Sequence, residues 1–595
     1  MKMLFKEADY NLNRLIENIN AGEIGLPDIQ RPFIWKDVKV RNLFDSMYRG
    51  YPIGYLLFWG NFQQENTRTI GSNEEMHRPP RLLIVDGQQR LTSLFAVIKG
   101  KEVVRENYEK ERIIIAFHPL EEKFEVPDAA IRNNPEYIQD ISLIWNTENI
   151  HGFITKHINK LKEVRELTSE EESKIANNIG NLHGLLHFQF SVLEIDATAT
   201  EEEVAEIFVR INSEGKHLKE PDFILTLMSV FWDEGRMELE KFSRASQVPS
   251  EGIATAFNYI FQPKPDQVLR VAIGLGFKRA RMKYAYSILR GKDLKTEKFS
   301  EELRVEQFEV LKNAQDKVLD LNNWHEFLKS LKEAGYTRQA LVSSAYSVMY
   351  SYIIFLIGKY EFEVEPAVLR RLTARWFFFS SLTGRYTGSA ETQMEEDLNA
   401  IEKGKSLYGV SEYGTIKNGG ETLEQIINHI IGTEITSDYW SITLPTSGLV
   451  SGSARSPAML AYYASLNILG AKVLFSDLTT IQLMENGVTE KRSALERHHL
   501  FPRKYLKKIG IKDFNEINQV ANYALIEWGD NNDISDQSPS EYLPIYLPRL
   551  GEDKEKCYYW HALPENWEQM EYSKFLEERR KKMAVVIKDA FEKLK

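Results

Sequence analysis

Two adjacent histidines, His498 and His499, stand in the segment LERHHLFPRKYL, preceded by Glu496 and followed by Leu500-Phe501-Pro502. Asn522 lies 23 positions beyond His499, and Asn531 a further 9. An imidazole with an ordinary pKa near 6.5 takes a proton from water around neutral pH without the large shift a lysine needs. Hydrolysis of a phosphodiester asks for such a base, for a divalent ion on the scissile phosphate, and for an amide that holds the loop aiming the imidazole. All three residue types occur here in that order, and His499 is the candidate base. Successive side chains on a strand face opposite ways, so His498 cannot share that task; one of the pair binds while the other acts. Each feature taken singly has a plainer reading. A His-His pair can be polar decoration before a Pro-terminated strand, and Asn522 and Asn531 can cap backbone amides in turns.

Arg497, Arg503, Lys504, Lys507, Lys508 and Lys512 surround the pair against only Glu496 and Asp513, an electropositive stretch in a chain of net charge -11 and pI near 5.7. Beside histidines the cluster suits phosphate contact; any single lysine in it also fits a solvated helix face. Cys557 is the only cysteine, which excludes an internal disulfide and a Cys-based zinc site. A metal must then be held by His, Asn or carboxylate oxygen.

A second constellation lies near the start, where the strand-like run RLLIVDG passes into the helical QQRLTSLFAVIK. Gly87 lets backbone approach a phosphate, the helix N-terminus favours an anion, and Arg90 can grip phosphate oxygens bidentately. Asp86-Gly87-Gln88-Gln89-Arg90 therefore fits a nucleotide, although it is not a Walker A loop. It equally fits a tight turn with a helix-facing Arg salt bridge. GFKRARMKYAYSILRGKDLK (276–295), basic with Tyr284 and Tyr286 interleaved, reads as a secondary DNA patch or as a basic amphipathic helix. GRYTGSAETQMEEDL (384–398) shows no derivable chemistry.

The elements that must position these residues follow from periodicity. Short β-rich runs at 51–59, 81–87, 112–119 and 188–196 alternate with amphipathic helices at 37–49 and 88–99, which predicts an α/β or α+β N-terminal half. From about 200 to 435 long apolar-periodic segments predict a helical middle region. The Ser/Gly/Thr/Pro-rich stretch 443–458 then marks a separation from the C-terminal elements. At 595 residues the chain exceeds what one core supports. Its division is read as 1–230, 231–435 and 436–595. No apolar run approaches the roughly 18 residues that span a bilayer, and the N-terminus lacks the basic start of an export signal, so no membrane contact and a cytoplasmic location are expected.

ERHHLFPRKYL followed by ANYALIEWGDNNDISDQSPSEYL resembles the nuclease half of the GmrSD-type, modification-dependent (type IV) restriction endonucleases, over roughly 480–560. The N-terminal half resembles their S-type domain, related to the ParB/sulfiredoxin-like fold, through DGQQR, QRPFIW and FVRINSEGKHLKEPDF. The resemblance implies a multidomain α+β protein: a ParB/sulfiredoxin-like α/β domain, a helical region, and a C-terminal ββα-metal HNH nuclease domain. It implies His499 as general base, His498 and Asn531 as ligands of Mg²⁺ or Mn²⁺ with Asn532 as an alternative, and Asn522 as the loop-ordering amide. Arg497, Arg503, Lys504, Lys507 and Lys508 would meet DNA. Asp86, Gly87, Gln88, Gln89 and Arg90 would contact an NTP or its metal, with Arg31 and Asn212 completing the pocket. The implied activity is nucleotide-regulated cleavage of modified phage DNA, as a monomer or homo-oligomer. A ParB-like NTP-dependent DNA switch without cleavage, and a toxin nuclease acting on RNA or host DNA, are the alternatives.

Overall fold

The computed structural model describes residues 4–27, 33, 35–60, 67–68, 81–105, 109–199, 203–204, 207, 220–249, 252–293, 296, 298–408, 418–453, 455–485 and 495–595. The chain divides into two compact units, Met1–Glu234 and Gly235–Lys595.

The first unit is built on a six-stranded mixed sheet. Its strands are β1 (Phe5–Asn11), β2 (Ile24–Pro27), β3 (Leu56–Gly60), β4 (Thr67–Arg68), β5 (Leu82–Asp86) and β6 (Gln189–Ile195), in the order β1-β6-β3-β5-β2-β4. The β6–β3 and β2–β5 pairs are parallel and the rest antiparallel, with a bulge in β3 between Leu57 and Phe58. Helices α1 (Leu12–Asn20), α2 (Asp37–Tyr48) and α3 (Gln88–Lys99) line this core. Asn11 stops β1 and starts α1, its side chain accepting from Arg14 N at 2.8 Å. In α2 the buried residues Val40, Leu43, Phe44 and Met47 recur three and four apart, so one stripe faces the core, beside the Lys123–Glu125 strand and α3. Leu91, Leu94, Phe95 and Ile98 do the same in α3. The run RIIIAFHP departs from the single strand its composition predicts. Lys110–Arg112 and Ala116–His118 belong to two separate two-stranded ribbons outside the main sheet. Ile113 and Ile115 between them are buried outside any strand, with Ile115 O accepting from Ile141 N at 2.9 Å.

The second unit is mainly helical. Its long helices are α4 (Pro265–Phe277), α5 (Glu301–Leu319), α6 (Leu321–Glu333), α7 (Ala345–Tyr360), α8 (Pro366–Thr383), α9 (Ala390–Tyr408), α10 (Gly419–Glu434) and α11 (Pro457–Leu469); α4, α6, α10 and α11 pack on α7 or α8, which are buried over most of their lengths. The Ser/Gly-rich stretch after 438 is not simply a linker: Tyr439–Gly448 forms a wide π-helix that buries Trp440 and Leu444. Trp440 meets Phe591 of the last helix, α15 (Tyr572–Glu592), at 5.8 Å. The segment 384–398 proves to be a charge clamp. Arg385 pairs with Asp397 at 2.6 Å and Glu434 at 2.5 Å, and Tyr386 donates to Asp397 at 2.6 Å. Glu391 and Glu395 take Arg270 and Arg279 at 2.5 and 2.6 Å, and Glu395 also accepts from the backbone N–H of Ala280. Arg279, in the basic segment read as a DNA patch, is thus committed to an internal carboxylate.

Near the C-terminus two short strands, β7 (Leu495–His499) and β8 (Tyr523–Glu527), pair antiparallel with His499 opposite Tyr523. Helix α12 (Arg503–Lys508) follows β7 directly. Helix α13 (Trp528–Ile534) follows β8 and packs on both strands, and α14 (Pro539–Tyr546) comes next. Two antiparallel strands and a helix laid on them make a ββα arrangement.

Candidate functional site

At the end of β7 the chain turns sharply, because Leu500 and Phe501 are fully apolar and Pro502 opens α12. Phe501 is 2% exposed, packed on Phe575, Tyr572 and Trp567 at ring distances of 4.7, 5.3 and 5.9 Å. Asn522, entirely buried, clips this turn. Its Oδ1 accepts from Phe501 N at 2.9 Å, and its Nδ2 donates to the carbonyls of Phe501 and Ile517 at 3.1 Å each. Leu500 N donates to the Asn522 carbonyl at 2.8 Å. Side chain and backbone of one residue therefore fix the segment that carries both histidines.

The histidines point apart, as alternation on a strand requires. His498 is buried, with Nδ1 2.9 Å from Asn531 Oδ1 on α13, and its ring meets Tyr542 edge to face at 5.8 Å. The amide oxygen only accepts, so Nδ1 carries the proton in this pairing, and Nε2 is left buried with no partner. Burial lowers the His498 pKa to about 4, against a raising contribution from the Asn531 bond. His499 is half-buried, with Nε2 2.9 Å from Asn518 Oδ1. Asn518 was not singled out from the sequence. Its Nδ2 donates to Phe514 O at 2.8 Å and its Oδ1 also accepts from Tyr523 OH at 3.0 Å, which settles which end of the amide faces His499. His499 Nε2 is thereby the protonated nitrogen and Nδ1 keeps its lone pair. Burial lowers the His499 pKa, helped by Arg503 and Arg497 and opposed by the Asn518 bond, so the imidazole is neutral at neutral pH.

The other predicted residues fall around this pair. Arg497 is exposed on β7, 6.0 Å from the Tyr523 ring. Arg503, Lys504, Lys507 and Lys508 are all exposed on α12; Lys508 pairs with Asp536 at 3.2 Å, and Arg503 lies 5.8 Å from the exposed Phe514 ring. A fully buried cation, Arg579 on α15, donates to Ala521 O at 2.7 Å and His561 O at 3.1 Å, bracing the Asn522 segment from behind. No local pattern flags Asn518 or Arg579, since both are defined by contacts distant in sequence.

Two of these buried histidines make the unit acid-sensitive. His561, like His498, has its pKa lowered to about 4, chiefly by burial. The unfolded chain binds protons at 6.5 while the folded one refuses them until about 4. Stability is then complete above 6.5 and falls as pH drops through that window, by up to about 1.4 kcal/mol per pH unit for each histidine. Melting the second unit between pH 7 and pH 4 is expected to show this decline, and His561→Gln to flatten it.

In the first unit β5 ends at Asp86, Gly87 turns with φ 96°, and α3 begins at Gln88. Gln88 and Gln89 are partly exposed, and the Asp86 carboxylate is one-third exposed. Arg90 is turned onto the protein itself. Its Nη1 donates to Ile53 O at 2.6 Å, and its Nη2 to Tyr55 O at 2.7 Å and Asp86 Oδ2 at 3.1 Å. In this conformation the guanidinium pins the Tyr51–Tyr55 loop in the manner of the helix-facing salt bridge. Arg31 and Asn212 lie outside the described residues, as do Gln30, Pro32, Phe208, Arg210, Gly215 and Leu218.

Residues 12–229 match the GmrSD restriction endonuclease, N-terminal domain, family. The N-terminal unit is a GmrSD domain. The likeness to other proteins is not confined to it. An uncharacterized protein of Methanocaldococcus jannaschii, MJ0686, is 24% identical over 568 aligned residues that span 90% of this chain and 86% of the relative. The GmrSD domain depends on Gly87. A Cβ there would come within 2.3 Å of Leu56 Cδ2 and 3.3 Å of Arg90 Nη2, at a φ that L side chains resist. Gly87→Ala is expected to destabilise the GmrSD domain by about 2–4 kcal/mol, read as a lowered melting transition. Among the described residues no helix is long and apolar enough to cross a membrane.

Proposed function

We propose that this GmrSD-type chain is a metal-dependent DNA endonuclease whose hydrolytic centre is the ββα arrangement of β7, β8 and α13, with His499 as general base. The observation that carries the reading is the joint placement of a neutral, tautomer-fixed His499 beside a His498–Asn531 donor pair, on a turn clipped by Asn522. The donor chemistry fits one divalent ion. His498 Nδ1–H now donates to Asn531 Oδ1 at 2.9 Å, so holding an ion would require that proton to move to the buried, unpartnered Nε2, after which Nδ1 and Oδ1 would both offer lone pairs to the metal. Among the described residues no group of three His, Cys, Asp or Glu could hold a metal, so water and phosphate oxygens would complete the shell. Mg²⁺ or Mn²⁺ suits such a set, the imidazole favouring Mn²⁺.

His499 Nδ1 takes the proton of the attacking water, while Nε2–H stays bonded to Asn518, so the imidazolium that forms keeps its position. Asn522 keeps the turn from relaxing. Arg497 and the α12 cations supply phosphate contacts along the strand. When bound, the ion supplies Lewis-acid stabilisation of charge on the phosphate and the leaving oxygen. The restriction role follows from the GmrSD domain. Sensing of an NTP at Asp86–Arg90, and a preference for modified phage DNA, extend the same reading.

Digestion of unmodified, glucosylated hydroxymethylcytosine and phosphorothioate DNA, with Mg²⁺ or Mn²⁺ and each NTP in turn, tests it. Cleavage is expected to vanish in EDTA. His498→Ala is expected to raise the metal concentration needed by about 10–100-fold. Cleavage that persists undiminished in EDTA would sink the metal assignment, and nucleotide turnover with no cleavage of any DNA would favour the non-cleaving switch.

A further inference from the structure

The second unit holds a cleft of about 760 Å³ far in sequence from the histidine pair, lined by the 257–260 loop, α6, and residues 337–340. That size lies within the roughly 300–1,000 Å³ of small-ligand sites. Its walls are mostly apolar. One side is an aromatic pair, Phe257 and Tyr259, edge to face at 5.1 Å, with Tyr259 56% exposed.

The loop bearing this pair is held rigid. Asn258 Oδ1 accepts from the backbone of Ile260 and Phe261, its Nδ2 donates to the carbonyls of Ala256 and Phe261, and Trp324 donates to Ala256 O at 2.9 Å. His325 Nε2 holds Thr255 O at 2.7 Å. An exposed tyrosine on a loop fixed by six such bonds is a preorganised platform, which lowers the ordering cost of whatever stacks on it.

The charge around the cleft has one sign. His325, Lys329, Lys332 and Arg338 line it, and no aspartate or glutamate does among the described residues, in a chain of net charge -11. Lys329 is taken by Glu326. Arg338 is half-buried with no ion-pair partner among the described residues, and the neighbouring Thr337 Oγ1 is buried without a hydrogen bond. Burial alone lowers the Arg338 pKa, as expected of a cation waiting for an anion in an apolar wall.

The geometry points to a nucleotide-binding site in this cleft, with the base stacked on the Phe257–Tyr259 platform and the phosphate on Arg338, Thr337 and Lys332. A free nucleoside monophosphate and a nucleotide within a single strand carry the same chemistry. The site is independent of the hydrolytic reading of His499.

Calorimetric titration of the full chain in EDTA with AMP and CMP, with inorganic phosphate, and with a six-nucleotide single-stranded DNA tests the assignment. Arg338→Gln and Tyr259→Ser are each expected to weaken nucleotide binding by about tenfold or more while leaving the melting curve unchanged. Loss of oligonucleotide binding alone assigns the site to a strand, and loss of mononucleotide binding alone to a free nucleotide. The assignment is overturned if both variants bind like the unaltered protein, which would place binding elsewhere, at Asp86–Arg90 for example. It is overturned equally if phosphate binds as tightly as a nucleotide, or if no probe binds.

Discussion

His499→Ala is expected to cut DNA about 10²–10⁴-fold more slowly than the unaltered protein, the range over which a positioned general base contributes. The loss should come without a loss of fold. His499 is half-buried, and the turn is held by Asn522 and Phe501, neither of which bonds to the imidazole. Single-turnover cleavage of a plasmid in Mn²⁺, beside a melting curve, separates the two effects. An unchanged rate would remove His499 from the chemistry. The pH dependence carries the same information. Because burial and the nearby Arg503 and Arg497 lower the His499 pKa, the acid limb of the rate should lie below 6.5, where an unperturbed imidazole would already be protonated.

Asn522→Ala is expected to act through structure. It leaves the Phe501 N–H and carbonyl without their side-chain partner in a fully buried place, at about 1–3 kcal/mol for each group left unpaired, while the Ile517 carbonyl keeps the Tyr572 hydroxyl at 3.2 Å. Allowing for relaxation, a loss of about 3–5 kcal/mol is expected in denaturant unfolding of the second unit, together with most of the cleavage. Asn522→Asp discriminates the cause. The carboxylate still accepts from Phe501 N but offers both carbonyls only repulsion, so it should rescue neither stability nor cleavage. Wild-type stability in Asn522→Ala would show that the clip contributes little.

The ease with which these elements could be read follows their physics. Helices α2 and α3 turn an apolar stripe to the core, and periodicity places them within a residue or two of 37–49 and 88–99. Strands β3, β5 and β6 are apolar runs with turn residues at their ends, and the same reading finds them. The strand predicted at 112–119 fails because an apolar run says nothing about whether a partner edge is free. Ile113 and Ile115 reach the core as connecting chain. The charge clamp at 384–398 was opaque for a related reason: Glu391 and Glu395 look solvated until α4 and the segment after it bring Arg270 and Arg279 alongside. At the candidate site, His498 and His499 could be singled out from the sequence because their chemistry is intrinsic to the residue type. Asn518 and Arg579 act only through the groups they meet, and those lie 19 and 58 positions away.

Arg579 also orders events in time. His499 precedes it by 80 positions, so during synthesis both histidines leave the ribosome while the helix that braces Ala521 and His561 is still unmade. Until α15 docks, the turn bearing the histidines lacks its rear support. A nascent or prematurely terminated chain then carries every side chain of the proposed centre without its rear support, and on that reading the centre is assembled only once α15 has docked.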